Sequence, residues 1–82
     1  MSKDTPKQKL AEPVYRQLGA KIEQMRTTLG WTQDELSKKV GLTRTSIVNI
    51  EAGRQRMPLH DVETFAAAFN CQVKAILRGI WF

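Results

Sequence analysis

Three observations predict an all-α fold of five short helices. Apolar residues return every three or four positions in successive segments, the period of a helix with one buried face. The middle segments are bounded by a residue able to cap a helix start and by a glycine or asparagine able to stop it. No run alternates apolar and polar residues for long enough to make a useful strand.

Residues 1–12 are polar, with Lys3, Lys7, Lys9 and Pro6, and are expected to form a flexible basic arm ahead of a folded domain at 13–82. Too few apolar groups are available there to offset the entropy of ordering. Pro13 is expected to open the first helix, since proline suits the first helical turn. Val14, Leu18, Ile22, Met25 and Leu29 then form one stripe, which Gly30 ends. Thr32 and Glu35 make a capping box, in which the threonine oxygen accepts a first-turn N–H and the glutamate reaches back. This second helix runs to Val40, and Gly41 takes the left-handed position after it. Thr43 caps a third helix through about Ala52, closed by Gly53. Arg54, Gln55, Arg56 and Met57 read as a basic loop. Pro58 starts a fourth helix with Leu59, Val62, Phe65, Ala66 and Phe69 on one face, ended by Asn70. A fifth covers roughly Val73 to Leu77, and Gly79, Ile80, Trp81 and Phe82 close the chain.

The stretch from Gln33 to Ala52 carries the chemistry. Leu36 and Val40 on one helix, and Ile47 and Ile50 on the next, lie where two crossed helices need apolar contacts. On the third helix Arg44, Thr45, Val48 and Asn49 share the opposite face, because positions i, i+1, i+4 and i+5 do so. A helix of this kind fits a DNA major groove, where arginine can fork onto guanine O6 and N7 and asparagine onto adenine N6 and N7. The methyl groups of threonine and valine can meet the thymine methyl. Gln33, at the first turn of its helix, is placed to bind phosphate through its amide and the free N–H groups there. Arg54, Gln55 and Arg56 follow the third helix and are expected to touch phosphates, setting register rather than sequence. Arg26 and Glu51 are expected to pair, joining the first helix to the third, with Arg26 also meeting phosphate.

Composition agrees with a polyanionic partner. The 82 residues carry a formal charge of +5, with a pI near 9.8, and leave room for one small domain. Cys71 is the single cysteine, so no internal disulfide forms, and it reads as a small hydrophobe rather than a nucleophile. There is no apolar run of about 18 residues and no secretory signal, so a reducing cytoplasm is expected and a membrane is not. His60 is the single histidine; with no cysteine cluster or glycine-rich phosphate loop beside it, neither enzyme chemistry, a metal nor a cofactor is expected.

The run WTQDELSKKVGLTRTSIVNIEAGRQRMP, Trp31 to Pro58, resembles the lambda-repressor-like family of helix-turn-helix proteins, also called the Cro or XRE type. The resemblance extends from about Leu18 to Leu77. It rests jointly on the Thr-Gln at the helix start, the mid-motif glycine, the isoleucine pair, the E-x-G end and the basic loop before proline. It implies five helices and operator binding, usually as a dimer. It places Gln33 at a phosphate contact, Arg44, Thr45 and Asn49 at base-reading positions, Val48 at a more variable contact, and Arg26 with Glu51 in a family ion pair. Two residues depart from the pattern: Ser37 stands where alanine is usual, and Met57 where many relatives carry proline. The resemblance also implies a bacterial or phage-encoded protein held at the nucleoid.

Ile80, Trp81 and Phe82 are too apolar for an idle tail and form a candidate homodimer contact; the alternative is that they fold back on the domain's own core. The expected partner is double-stranded DNA, and the expected role is that of a dimeric repressor at a near-palindromic site. A phage repressor, a restriction–modification controller and an antitoxin all fit. The competing class is an interaction module that uses the same helices to bind a protein such as a toxin.

Overall fold

The computed structural model describes residues 5–80. Within them the chain forms α1 (Thr5–Thr28), α2 (Gln33–Val40), α3 (Arg44–Glu51), α4 (Leu59–Ala68) and α5 (Val73–Leu77), with no strand among the described residues. The fold class is therefore all-α with five helices, as the apolar period predicts. Trp81 and Phe82 of the candidate dimer contact lie outside the described residues, as do the first four residues of the expected arm.

The start of α1 differs from the expectation. The helix begins at Thr5, and Pro13 lies inside it instead of opening it. The residues ahead of Pro13 include lysine, glutamine, leucine, alanine and glutamate, all good helix formers, so the chain is already helical when it reaches the proline. Leu18 and Ile22 of the predicted stripe are buried and Met25 packs at the core edge, but Leu29 is 48% exposed. The reason is the turn at Gly30, whose φ is +76°. Trp31 N–H bonds the Arg26 carbonyl and Gly30 N–H bonds the Thr27 carbonyl, the paired pattern that reverses a chain at a helix end. That reversal carries Trp31 to the edge of the core, where its ring stacks on Phe69 at 5.8 Å, with the Lys39 ammonium 4.5 Å above it.

The two middle helices start and stop as their end residues dictate. Thr32 Oγ1 accepts from Glu35 N–H at 3.0 Å, and Glu35 Oε1 accepts from Thr32 N–H at 2.8 Å, completing the capping box. Gly41 at φ +73° ends α2, and Thr43 Oγ1 caps α3 by accepting from Ser46 N–H. Ser37 fits where alanine is usual because its hydroxyl donates to the Asp34 carbonyl at 2.7 Å, so a buried polar atom is satisfied within its own helix.

Leu36, Ile47 and Ile50 meet in the centre with Ile22, Phe65 and Ile76, all essentially without exposure. Each such side chain contributes about 1.5–3 kcal/mol by leaving water. Two apolar positions exchange their expected roles. Leu59 is 66% exposed, whereas Met57, expected in the basic loop, is buried at 6%. The chain enters α4 through Pro58 in an extended conformation, so Met57 is the residue turned under the helix start. Cys71 is half-buried against the core. No helix among the described residues is long and apolar enough to cross a membrane.

One close approach fixes the angle at which α3 leaves the domain. Gly19 is buried on α1 under the end of α3. A Cβ there would sit inside contact distance of the Ile50 carbonyl oxygen and 2.8 Å from that of Glu51. Only glycine lets the two backbones come this near.

Candidate nucleic-acid interface

α3 is held by its buried side. Ile47 and Ile50 enter the core, and Glu51 at its last turn is 8% exposed. On the other side Arg44 and Thr45 are exposed, and Val48 and Asn49 are half-buried. The helix thus offers one polar edge beginning at its N-terminus, with Arg44 in the first turn and Asn49 one turn later.

The carboxylate of Glu51 ties three helices together. Arg26 Nε donates to Glu51 Oε2 at 2.6 Å and Arg26 Nη2 to Glu51 Oε1 at 3.0 Å, a two-pronged pair between α1 and α3. Gln33 Nε2, at the start of α2, donates to the same Oε1 at 3.0 Å. Arg26 Nη1 also donates to the Trp31 carbonyl at 2.7 Å. The hydrogen bond that Arg26 donates to Glu51 raises the Arg26 pKa above its ordinary value; desolvation opposes this, and the charges of Glu51 and Glu23 add to it. Desolvation offsets much of the attraction in such a pair, so its effect lies mainly in orientation. Three of the arginine's nitrogens are engaged and its side chain is only 11% exposed. Arg26 is thus built in as a support, and it also lines the concavity beside Gln33 and Arg44.

Gln33 has one amide proton directed at Glu51 and remains half-buried at the mouth of a concavity of about 560 Å³ that Arg26, Thr32, Asp34 and Arg44 also line. The capping box engages the N–H groups of Thr32 and Glu35, so those of Gln33 and Asp34 face the open end of α2. The concavity therefore joins a helix N-terminus to the first residue of the open edge of α3. Lys38 pairs with Asp34 at 3.4 Å on the exposed side of α2.

Past α3, Gly53 N–H bonds the Ile50 carbonyl and Arg54 N–H bonds the Asn49 carbonyl, again the paired bonds of a helix-ending reversal. Gly53 takes φ +77°, and a Cβ on it would lie 2.7 Å from Arg16 Cα. The reversal brings Arg54 beside Asn49, and Arg54 Nε donates to Asn49 Oδ1 at 3.2 Å. Sequence reasoning missed this contact; the signal for it was the E-x-G-R spacing, which puts the arginine at the position that folds back on the helix. Arg56 is exposed, Gln55 is half-buried, and Ile80 is half-buried beyond α5. No cluster of three His, Cys, Asp or Glu side chains among the described residues could hold a metal ion.

The arrangement recurs in known proteins. A family model described as a helix-turn-helix domain matches residues 17–76. An uncharacterized HTH-type transcriptional regulator of Archaeoglobus fulgidus is 37% identical over 54 residues, which are 66% of this chain and 77% of that protein. The competence pilus inhibition repressor of Acinetobacter baylyi is 34% identical over 59 residues, 72% of this chain, which spans about half of the repressor's length. Among solved structures, the hypothetical transcription factor NHTF from Neisseria superposes with a TM-score of 0.74 at 28% identity, over 82% of this chain and 75% of that one. The restriction-modification controller protein C.AhdI from Aeromonas hydrophila gives 0.73 at 22% identity, over 76% and 94%, a likeness of fold. By its motif, its five helices and these relatives, the chain belongs to the lambda-repressor-like (Cro/XRE-type) family of helix-turn-helix DNA-binding regulators of transcription.

Proposed function

We propose that this protein is a sequence-specific double-stranded DNA-binding regulator, acting most simply as a homodimeric repressor that reads a near-palindromic operator through the major groove. One observation carries the reading: α3 buries Ile47, Ile50 and Glu51 and leaves Arg44, Thr45, Val48 and Asn49 on its open side. Arg44 and Asn49 supply forked hydrogen bonding to base edges, and Thr45 and Val48 supply methyl contacts. Gln33, Arg26 and the first-turn N–H groups of α2 bind a phosphate across the concavity, and Arg54, Gln55 and Arg56 bind phosphates beyond α3. Arg26 and Glu51 hold the supporting helices in register. The repressor role is supported by the named Acinetobacter relative.

A single module of this size covers only about 600–1,000 Å² of DNA-facing surface. Two copies set about 34–36 Å apart on one face of the duplex double the readout. Ile80, Trp81 and Phe82 are the proposed contact between copies. A second reading, a module that binds a protein partner, draws on the similarity (TM-score 0.68, 27% identity) to a chain of the SinR protein/SinI protein complex.

Selection from random duplexes at physiological salt tests the proposal. The expected result is a near-palindromic sequence whose binding weakens steeply with salt. Arg44→Ala should lose about 1–3 kcal/mol of discrimination at one base pair. Arg56→Ala should weaken all sequences equally and reduce the logarithmic salt slope by about 0.9. Truncation after Gly79 should leave a folded monomer in sedimentation. Absence of any selected sequence, together with salt-insensitive binding, would favour the protein-partner reading and refute this one.

A further inference from the structure

We propose that Arg54 is a positioning residue that sets which base Asn49 reads. The inference rests on the DNA-reading function above and refines it. The backbone reversal at Gly53 delivers Arg54 to the side of Asn49, with the Arg54 N–H on the Asn49 carbonyl at 2.9 Å and Nε on its Oδ1 at 3.2 Å. Gly53 cannot be replaced without a clash against the α1 backbone at Arg16, so the fold fixes the backbone of Arg54 beside Asn49, and the exposed guanidinium reaches the amide from there. A guanidinium has only donors, so the amide atom facing it must be the oxygen. The amide is thereby oriented, and its NH₂ becomes the leading group at the open edge of α3.

Orientation changes what the residue can recognise. A free asparagine selects adenine by accepting from N6 and donating to N7 at once. With its oxygen turned to Arg54, Asn49 recognises acceptors, and guanine presents two in the major groove, N7 and O6. Arg54 itself never touches a base. Its remaining N–H groups face solvent and can bind a phosphate, so one side chain links backbone contact to base choice.

The test uses the full chain and the duplex it selects. Asn49→Ala identifies the base pair that Asn49 reads, as the position whose preference flattens. At that pair the wild-type protein should favour guanine over adenine. Arg54→Lys keeps the charge but puts a methylene where arginine has Nε. It should cut the guanine-to-adenine preference about tenfold at that pair alone, with the salt slope unchanged. In the Asn49→Ala background, Arg54→Lys should leave the profile as it is. The proposal is overturned if the wild type prefers adenine there, if Arg54→Lys keeps the ratio within about twofold, if its effect persists without Asn49, or if Asn49→Ala flattens no position. Failure to select any sequence would remove the DNA-reading function and this proposal together; a selected sequence indifferent to Arg54 would remove this proposal alone.

Discussion

Gly19→Ala sets two effects of opposite sign against each other. Alanine is the better helix former by about 1 kcal/mol, so on propensity alone the change at this mid-helix site is stabilising. The structure opposes it. The new Cβ would lie inside contact distance of the Ile50 carbonyl oxygen and 2.8 Å from that of Glu51, where ordinary contact begins at 3.4 Å. Both obstacles are backbone atoms of α3, so no side chain can swing aside, and the two helices must part by more than half an ångström. Overpacking of a fitted core costs about 1–3 kcal/mol, and more where backbone must move. The parting also stretches the Arg26–Glu51 pair. We expect a net loss of about 2 kcal/mol, which for a domain of this size lowers Tm by roughly 10 °C. Thermal and urea denaturation followed by helical circular dichroism would measure it. Gly41→Ala is the control: its φ is +73° but nothing lies within 4 Å of the added carbon, so only backbone strain of about 1–2 kcal/mol is charged there. If Gly19→Ala melts at or above the wild-type temperature, the account of how α3 is seated is wrong.

Three further outcomes follow from the geometry. Glu51→Ala leaves Arg26 buried without its carboxylate and Gln33 without its acceptor, and should cost about 3–5 kcal/mol by urea titration; a loss under 1 kcal/mol would contradict the three-helix tie. Thr32→Ala removes the capping box at α2 and should cost about 1 kcal/mol by the same measurement, an unchanged midpoint being the contrary result. Met57→Ala should cost about 2–5 kcal/mol, whereas Leu59→Ala should change stability by no more than about 0.5 kcal/mol, and a reversed order of the two would show the entry to α4 to be misread.

The parts legible in the sequence are those governed by local chemistry. Thr32, Glu35, Gly41 and Thr43 mark their helix ends because a cap is decided within four residues. Leu36, Ile47 and Ile50 are readable as core because the helical period holds through both middle helices. The errors fall where the chain turns and the period breaks. Leu29 belongs to the stripe of α1 by spacing but lies past its last residue, and the reversal at Gly30 gives its place to Trp31. Met57 and Leu59 exchange roles for a similar reason at Pro58. Gly19 left no mark, since a glycine chosen for close approach looks like any other until the neighbouring helix is in view. Within the candidate site, the open edge of α3 and the Arg26–Glu51 pair could be listed from the sequence, but the bond of Arg26 to the Trp31 carbonyl and the hold of Arg54 on Asn49 needed three dimensions.

The division of labour on α3 bears on how such a protein changes over time. Arg44, Thr45 and Val48 make no side-chain hydrogen bond or ion pair among the described contacts, and Asn49 is tied only to Arg54. Arg44 and Thr45 are exposed, and substitution at such positions typically shifts stability by less than about 0.5 kcal/mol. On the proposed reading, the lettering of the helix can therefore drift while its mount stays intact, and new target sequences are reachable by single, thermodynamically quiet steps. A lineage with this scaffold can diversify its addresses without first becoming sturdier.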